Sequence, residues 1–279
     1  MIQITEIKEM QDMLKHLMKD VHDICEKHGL TYNLYGGSLL GAVRHCDIIP
    51  WDDDIDITMP RPDYEKLKVI INTEYCDKFD LYDFPKDNYI YPYMKICKKG
   101  TVLFEDDLRS KYSKLGLYID IFPMDGIRET NDAELIKRFA NSEKNKKYTS
   151  FCVGRISSSP VWWKKPFVIV KFLRCVSMNV LGYKHFVKKQ IKETTKYSYE
   201  SCDFIGFVSF GDCGRRAIIE KKTYLNRKLY KFGEYEFWGV TESDMLLKKL
   251  YGDYMIPPPK DKRVPCHNYR LYIDTEDGE

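Results

Sequence analysis

Four aspartates fall within five consecutive positions, Asp52, Asp53, Asp54 and Asp56, and the chain around them is apolar. Carboxylates this close repel one another unless a cation neutralises them. A charge run ordinarily escapes this by lying in solvent. Here Ile48-Ile49-Pro50-Trp51 precedes the acids and Ile55-Asp56-Ile57 runs through them, which buries the segment on both sides. Ile55 to Thr58 is β-branched and alternating, the pattern of a strand. Alternate strand residues share a face. Asp52, Asp54 and Asp56 are therefore expected to point one way, with Ile55 and Ile57 in the core. Two or three carboxylates on one edge make a hard-oxygen site suited to Mg²⁺ or Mn²⁺, which fills its remaining positions with substrate phosphates and water.

The preceding segment narrows the chemistry. An extended stretch over Thr31–Tyr35 is broken by Gly36 and Gly37, and Ser38 opens the short apolar run SLLGAVR. Strand, Gly-Gly, Ser and helix is the order in which a helix N-terminus faces an anion. Gly37 lets the backbone approach a phosphate closely, and Ser38 adds a hydroxyl at the positive helix end. The motif is not a P-loop, since GxxxxGK[ST] is absent. Asp52, Asp54 and Asp56 occupy the first, third and fifth places of an EF-hand loop, but Ile57 stands where that loop needs Gly and Asp63 where it needs Glu. An Asp-x-Asp glycosyltransferase using a sugar nucleotide also fits the acids alone. The Gly-Gly-Ser cradle followed by a paired-Asp strand is the nucleotidyltransferase arrangement.

The rest of the chain predicts an α+β fold. Ile7, Met10, Leu14, Leu17, Val21, Ile24 and Cys25 recur at helical spacing, and Gly29 supplies a stop. A helix is expected over about 63–75. Strands are expected at 79–84, 93–97, 102–105 and 117–122, then helices at 131–147 and 241–251. Glycines 206, 211 and 214 read as turns. The segment 251–272 reads as a Pro-rich basic loop, and the acidic tail after Asp274 as frayed. Residues 161–183 mix large apolar side chains with Lys164, Lys165, Lys171 and Arg174. They read as a buried helix or as an interfacial surface for peripheral membrane contact with a lipid-linked acceptor.

The chain has 279 residues, enough for a full core. Its formal net charge of +3 gives no general drive toward nucleic acid. Nine cysteines show no zinc spacing, the first twenty residues have no signal-peptide pattern, and no apolar run spans a bilayer. A cytoplasmic protein with reduced cysteines is expected.

The run YGGSLLGAVRHCDIIPWDDDIDITMPRPDYEKL closely resembles the signature of the LicD family, to which fukutin-related proteins are also similar. LYIDIFPMDG resembles the family's second motif, and YGDYMIPPP with the later His267 its C-terminal motif. The likeness covers most of residues 31–125 and 236–270. Cys46 departs from it, since a small residue, most often Gly, is expected before Asp47. The resemblance implies a single nucleotidyltransferase-like domain over 1–279, a mixed β-sheet core flanked by helices, with a helical insertion at about 130–205. It implies metal-dependent transfer of a phosphorylated alcohol from a CDP-linked alcohol donor to a sugar hydroxyl of a cell-surface glycan, with CMP leaving. The group is phosphocholine in the namesake members and glycerol or ribitol phosphate in relatives. Catalysis at the inner face of the membrane would follow if the acceptor is lipid-linked.

By the same resemblance Asp54 and Asp56 are metal ligands and Asp120 the third carboxylate, a ligand or the base for the acceptor hydroxyl. The plainer reading of Asp120, a lone acid in an apolar strand, is a salt bridge. Asp52 is a further ligand or orients one. Arg44 and Lys95 are expected on phosphate charge, although Lys95 also reads as a surface lysine. Trp51 would wall the donor pocket or accept a choline cation, or simply fill core. His267 would contact substrate. The three carboxylates suggest in-line displacement with one or two metal ions. A non-catalytic nucleotide-binding relative is the remaining alternative.

Overall fold

The long strand Tyr118–Ile127, β8, organises the molecule, because every one of its ten residues is buried. A strand covered on both faces reads as a nearly continuous apolar run, as LYIDIFPM does. The computed structural model describes residues 1–105, 114–128, 132–153, 180–265, 267 and 269–274. Along its first half β8 lies between β3 (Asp56–Pro60), with which it is parallel, and the antiparallel β5 (Met94–Lys98). Its second half pairs with β9 (Phe204–Gly206). With β2 (Asn33–Leu34), β4 (Phe79–Tyr82) and β10 (Ile219–Glu220) these form a seven-stranded mixed sheet. The fold is α+β, as expected.

Helix α1 (Ile7–Lys27) lays Leu14, Leu17, Met18, Val21 and Cys25 into the main core, each at most 1% exposed. Its predicted apolar stripe is the buried one. Helix α2 (Gly36–His45) joins β2 to the acidic segment, and α3 (Arg61–Glu74) follows β3 directly, with Pro62 in its first turn. Proline is tolerated there because those N–H groups lack intrahelical partners anyway. It therefore opens the helix rather than ending the strand from outside. Arg61 reaches back from α3 to clasp the buried Asp125 of β8 with two hydrogen bonds of 2.8 Å.

A second sheet of four strands takes both ends of the described chain. β13 (Tyr269–Ile273) lies between β1 (Ile2–Ile4) and β6 (Thr101–Glu105), and β7 (Lys114–Leu115) completes it. A hairpin, β11 (Arg227–Phe232) with β12 (Tyr235–Val240), packs beside β2. In the predicted helical region, α4 (Asp132–Val153) and α5 (Tyr183–Thr194) pack on each other, with Gln190 donating to Ser142 Oγ at 3.2 Å. Nearly all of 161–183 lies outside the described residues, as does the tail after Asp274.

Three local expectations are corrected. Gly206 belongs to β9, and Gly211 and Gly214 to the short helix α6 (Gly211–Arg216). At Gly214 the glycine serves close packing, because a Cβ would overlap the Phe207 carbonyl. The acids at 52–54 precede the strand, which begins only at Asp56. Ile55 and Ile57 are nevertheless fully buried. The segment 251–272 includes most of β13 and is not all loop.

Candidate active site

The Gly-Gly turn brings the opening of α2 against two of the acids. Gly36 has φ +56°, a left-handed value that favours glycine. A Cβ on Gly37 would come within 2.7 Å of Asp52 Oδ2, and one on Gly36 within 3.7 Å of Asp56 Oδ2. The helix has no side-chain cap, so its first turn presents N–H groups and positive dipole toward this edge. Ser38 is buried, and its Oγ accepts the Asp56 N–H at 2.8 Å. The hydroxyl expected at a phosphate therefore ties α2 to the start of β3. The Tyr35 N–H donates to the Asp56 carbonyl at 3.0 Å, closing the same junction.

The sheet sets the next pair. Asp56 of β3 and Asp120 of β8 are in register, and on the other side of Asp120 its partner is Lys95 of β5. The Lys95 ammonium donates to Asp120 Oδ1 at 2.5 Å, and Lys95 is only 2% exposed. Both plain readings of these residues are thereby decided: Asp120 has its salt bridge, and Lys95 is no surface lysine. Its Nζ also lies 3.4 Å from the Tyr118 ring centroid and 4.8 Å from that of Tyr91, so aromatic faces share the cation.

Asp53 is 3% exposed. It accepts the His267 N–H at 3.1 Å and pairs with His267 Nδ1 at 2.9 Å. His267 Nδ1 is also 3.8 Å from Asp54 Oδ2, and its ring stacks on Tyr269 at 4.6 Å. Ligand atoms of Asp53, Asp54 and His267 lie within 4.8 Å of one another. The sequence reading found His267 but missed Asp53. The available signal was parity: in an acid run pinned by apolar residues, the odd member also has to be buried, and a buried acid needs a partner.

The charges are unbalanced as expected for a cation site. Burial, with the Asp53 charge beside it, pushes Asp52 up to about 6. Burial and the Asp52 charge push Asp54 up to about 7. Asp56 is raised well above the ordinary carboxylate value by burial and by Asp54 and Asp120. Burial also raises Asp120, against the pull of Lys95. Burial alone would lower the His267 pKa, but the Asp53 hydrogen bond and the Asp54 and Asp53 charges raise it. Buried carboxylates that oppose one another's ionisation, with one imidazole at hand, fit a hard divalent ion.

Two further predicted residues have protein partners of their own. Arg44 is at the far end of α2 from Gly37; its guanidinium donates to the Tyr254 carbonyl at 2.6 Å and to His45 Nε2 at 3.0 Å. Trp51 is half-buried, with the Arg263 guanidinium 5.3 Å from its ring centroid and His45 against its edge. Between the carboxylates and α7 (Ser243–Tyr251) lies a cavity of about 180 Å³. Gly36, Gly37 and Asp56 line it together with Phe122, Phe207 and Phe210.

A family model described as the LicD/FKTN/FKRP nucleotidyltransferase domain matches residues 29–153. That stretch is similar to the family's nucleotidyltransferase domain. It contains the α2 turn, the acidic run, Lys95 and Asp120, while His267 is contributed from beyond it. Over nearly the whole chain the sequence is similar to a lipopolysaccharide cholinephosphotransferase of Haemophilus influenzae, 29% identical across 96% of this chain and 98% of that protein. A stretch of 44 residues is 52% identical to a ribitol 5-phosphate transferase of Homo sapiens, covering 16% of this chain and 9% of that one. An uncharacterised protein of Rickettsia prowazekii is 47% identical over 58 residues, 21% of this chain and 22% of its own.

Proposed function

We propose that this protein is a metal-dependent phosphotransferase that moves a phosphorylated alcohol, phosphocholine first among the candidates, from a CDP-linked donor to a glycan hydroxyl. The observation that carries the reading is the in-register pair Asp56 and Asp120 beside the uncapped α2 N-terminus, inside the stretch similar to the LicD-family domain. The names of the similar transferases give the class of group moved. Asp54, Asp56 and Asp120 would hold Mg²⁺ or Mn²⁺, with Asp52 closing the edge at Gly37. When bound, the ion neutralises the carboxylates and withdraws charge from the reacting phosphate.

The side chains then have distinct tasks. The first-turn N–H groups of α2 bind phosphate oxygens. Asp120, fixed by Lys95, takes the proton of the acceptor hydroxyl. The acceptor oxygen forms its bond to the alcohol-bearing phosphorus while the bond from that phosphorus to the bridging oxygen breaks, and CMP leaves with the electron pair. Lys95 fixes the Asp120 carboxylate and faces the charge that develops beside it. Asp53 orients His267 against Asp54. No described helix is long and apolar enough to cross a membrane.

The test is nucleotide release from CDP-choline, CDP-glycerol, CDP-ribitol and CDP-ethanolamine, with cell-surface glycan, Mg²⁺ or Mn²⁺ and an EDTA control. Metal-dependent CMP from one donor is expected. Release of a nucleoside diphosphate from a sugar nucleotide instead, or CMP release that EDTA leaves untouched, would overturn the assignment.

A further inference from the structure

Phe210 has a cavity on each of its sides. One is the 180 Å³ space at Gly36, Gly37 and Asp56. The other, about 310 Å³, lies between the α4–α5 pair and the segment Ile90–Tyr93. The two are separated by an aromatic wall: Tyr93 is packed edge-on to Phe122 at 4.6 Å between ring centroids, and Phe207 is 5.1 Å from Phe210. The larger cavity abuts the reacting centre through Tyr91 and Tyr93, whose rings face the Lys95 ammonium that holds Asp120.

Its lining is unusual in one respect. Thr149 of α4 and Ser209 of the turn before α6 are 5% and 1% exposed, and both hydroxyl oxygens are buried without a hydrogen-bond partner. Each such group costs about 1–3 kcal/mol in an apolar surrounding, so native interiors rarely leave two in one place. Thr149 sits in a helix where bonding back to a carbonyl is open to it, as its neighbour Ser150 does with Lys146. Gln190 lines the same cavity, its amide donating to the Ser209 carbonyl at 3.0 Å. The opposite wall is apolar, formed by Ile90, Pro92 and the faces of Tyr91 and Phe210.

We infer that this cavity binds a sugar ring of the acceptor, with Thr149 and Ser209 as its specificity-determining hydroxyls; the inference rests on the phosphotransferase reading above. A pyranose carries hydroxyls that donate and accept, as Thr149 and Ser209 do, and a C–H face that packs on aromatic rings. A free choline cation is disfavoured by the Lys146 ammonium, which lies 4.3 Å from the Phe210 ring centroid and already occupies that face. The nucleotide belongs on the other side of Phe210, where the α2 N-terminus meets the smaller cavity.

The probes are methyl glycosides of glucose, galactose, N-acetylglucosamine and N-acetylgalactosamine, with CMP as the contrasting ligand. Ligand-observed NMR on the full chain is compared between wild type, Thr149→Val, Ser209→Ala and the double variant. Because the two hydroxyls are unpaired, removing them leaves the fold intact or more stable, which a melting curve checks. At least one glycoside is expected to bind wild type, more weakly by about five- to tenfold in each single variant, the factor for one lost hydrogen bond. CMP binding is expected to hold. Equal glycoside binding in all four proteins, no glycoside binding at all, or weakening of CMP instead would each overturn the inference. None of these readouts requires turnover, so they separate this idea from the phosphotransferase reading. In an active preparation the same variants raise the acceptor KM in preference to kcat.

Discussion

Asp56 and Asp120 stand opposite each other in parallel register on β3 and β8, so two buried carboxylates share one rung of the sheet. Their surroundings differ, because Lys95 pairs with Asp120 alone. The two Asn variants should therefore separate activity from stability. Asp56→Asn and Asp120→Asn are both expected to lower turnover by at least about 10²-fold, the several kcal/mol that a metal clamp contributes. In EDTA, Asp56→Asn should leave the protein as stable or more stable, since a like-charge repulsion is removed. Asp120→Asn should cost about 3 kcal/mol, because it strands a buried ammonium. Urea unfolding of both variants checks this; equal stabilities would mean that Lys95 is not held by Asp120.

Stability of the metal-free protein should fall as pH rises from 5 to 8. Asp52 and Asp54 titrate at about 6 and about 7 in the folded chain, above the value of about 3.9 for a free aspartate. The folded state therefore holds extra protons, and the stabilisation from them is lost as pH climbs through 6 and 7. His267, also raised, has the same sign. Mg²⁺ or Mn²⁺ should reverse the trend, restoring about 2.7 kcal/mol at a hundredfold excess over Kd at pH 8 and much less at pH 5, where protons compete. Thermal melts with and without EDTA at both pH values decide it. A metal-free protein more stable at pH 8 than at pH 5 would contradict the picture.

Gly37 and Gly41 lie on one helix and should fail in different ways. A Cβ at Gly37 meets a carboxylate oxygen of Asp52, whereas at Gly41 it meets the Asp47 carbonyl at 2.6 Å. A side chain can turn away and a backbone cannot. Gly37→Ala is expected to weaken metal binding and turnover about tenfold or more with a small change in melting temperature. Gly41→Ala should destabilise by about 1–3 kcal/mol, the range for overpacking. Calorimetric metal titration alongside melting curves separates the two.

Cys46 closes α2 in the left-handed conformation, at φ +53°. The sequence singled it out as a departure from an expected glycine, and the backbone explains why glycine belongs there. Cys46→Gly is expected to stabilise the fold by about 0.5–1 kcal/mol, the relief of the Cβ strain less the added freedom of the unfolded chain. Urea midpoints measure it, with activity unaffected.

What was legible in the sequence follows from how local the information is. The α1 stripe, the strand at Ile57 and the Gly-Gly turn each depend on neighbours in the chain, and they stand where expected. The partner of Asp120 lies 25 residues away, and that of Asp53 lies 214 away. No local period encodes such pairs. The β11–β12 hairpin went unread because its exposed Lys and Tyr side chains dilute the alternation, and β13 because the Pro-rich segment before it suggested loop. Arg44 was grouped with the acids by position in the motif, yet a ten-residue helix carries it to the end opposite Gly37.

The second sheet gives the molecule a timetable. His267 reaches Asp53 only because β13 is threaded between β1 and β6. During synthesis the acids at 52–56, Lys95 and Asp120 all emerge while the imidazole is still more than a hundred residues from being made. A growing chain thus carries the carboxylates before the strand that seats their histidine, and any chain ending before residue 267 retains the charge cluster without that partner. The carboxylate cluster gains its imidazole only once synthesis has passed residue 267, which makes that step a late one in the assembly of the site.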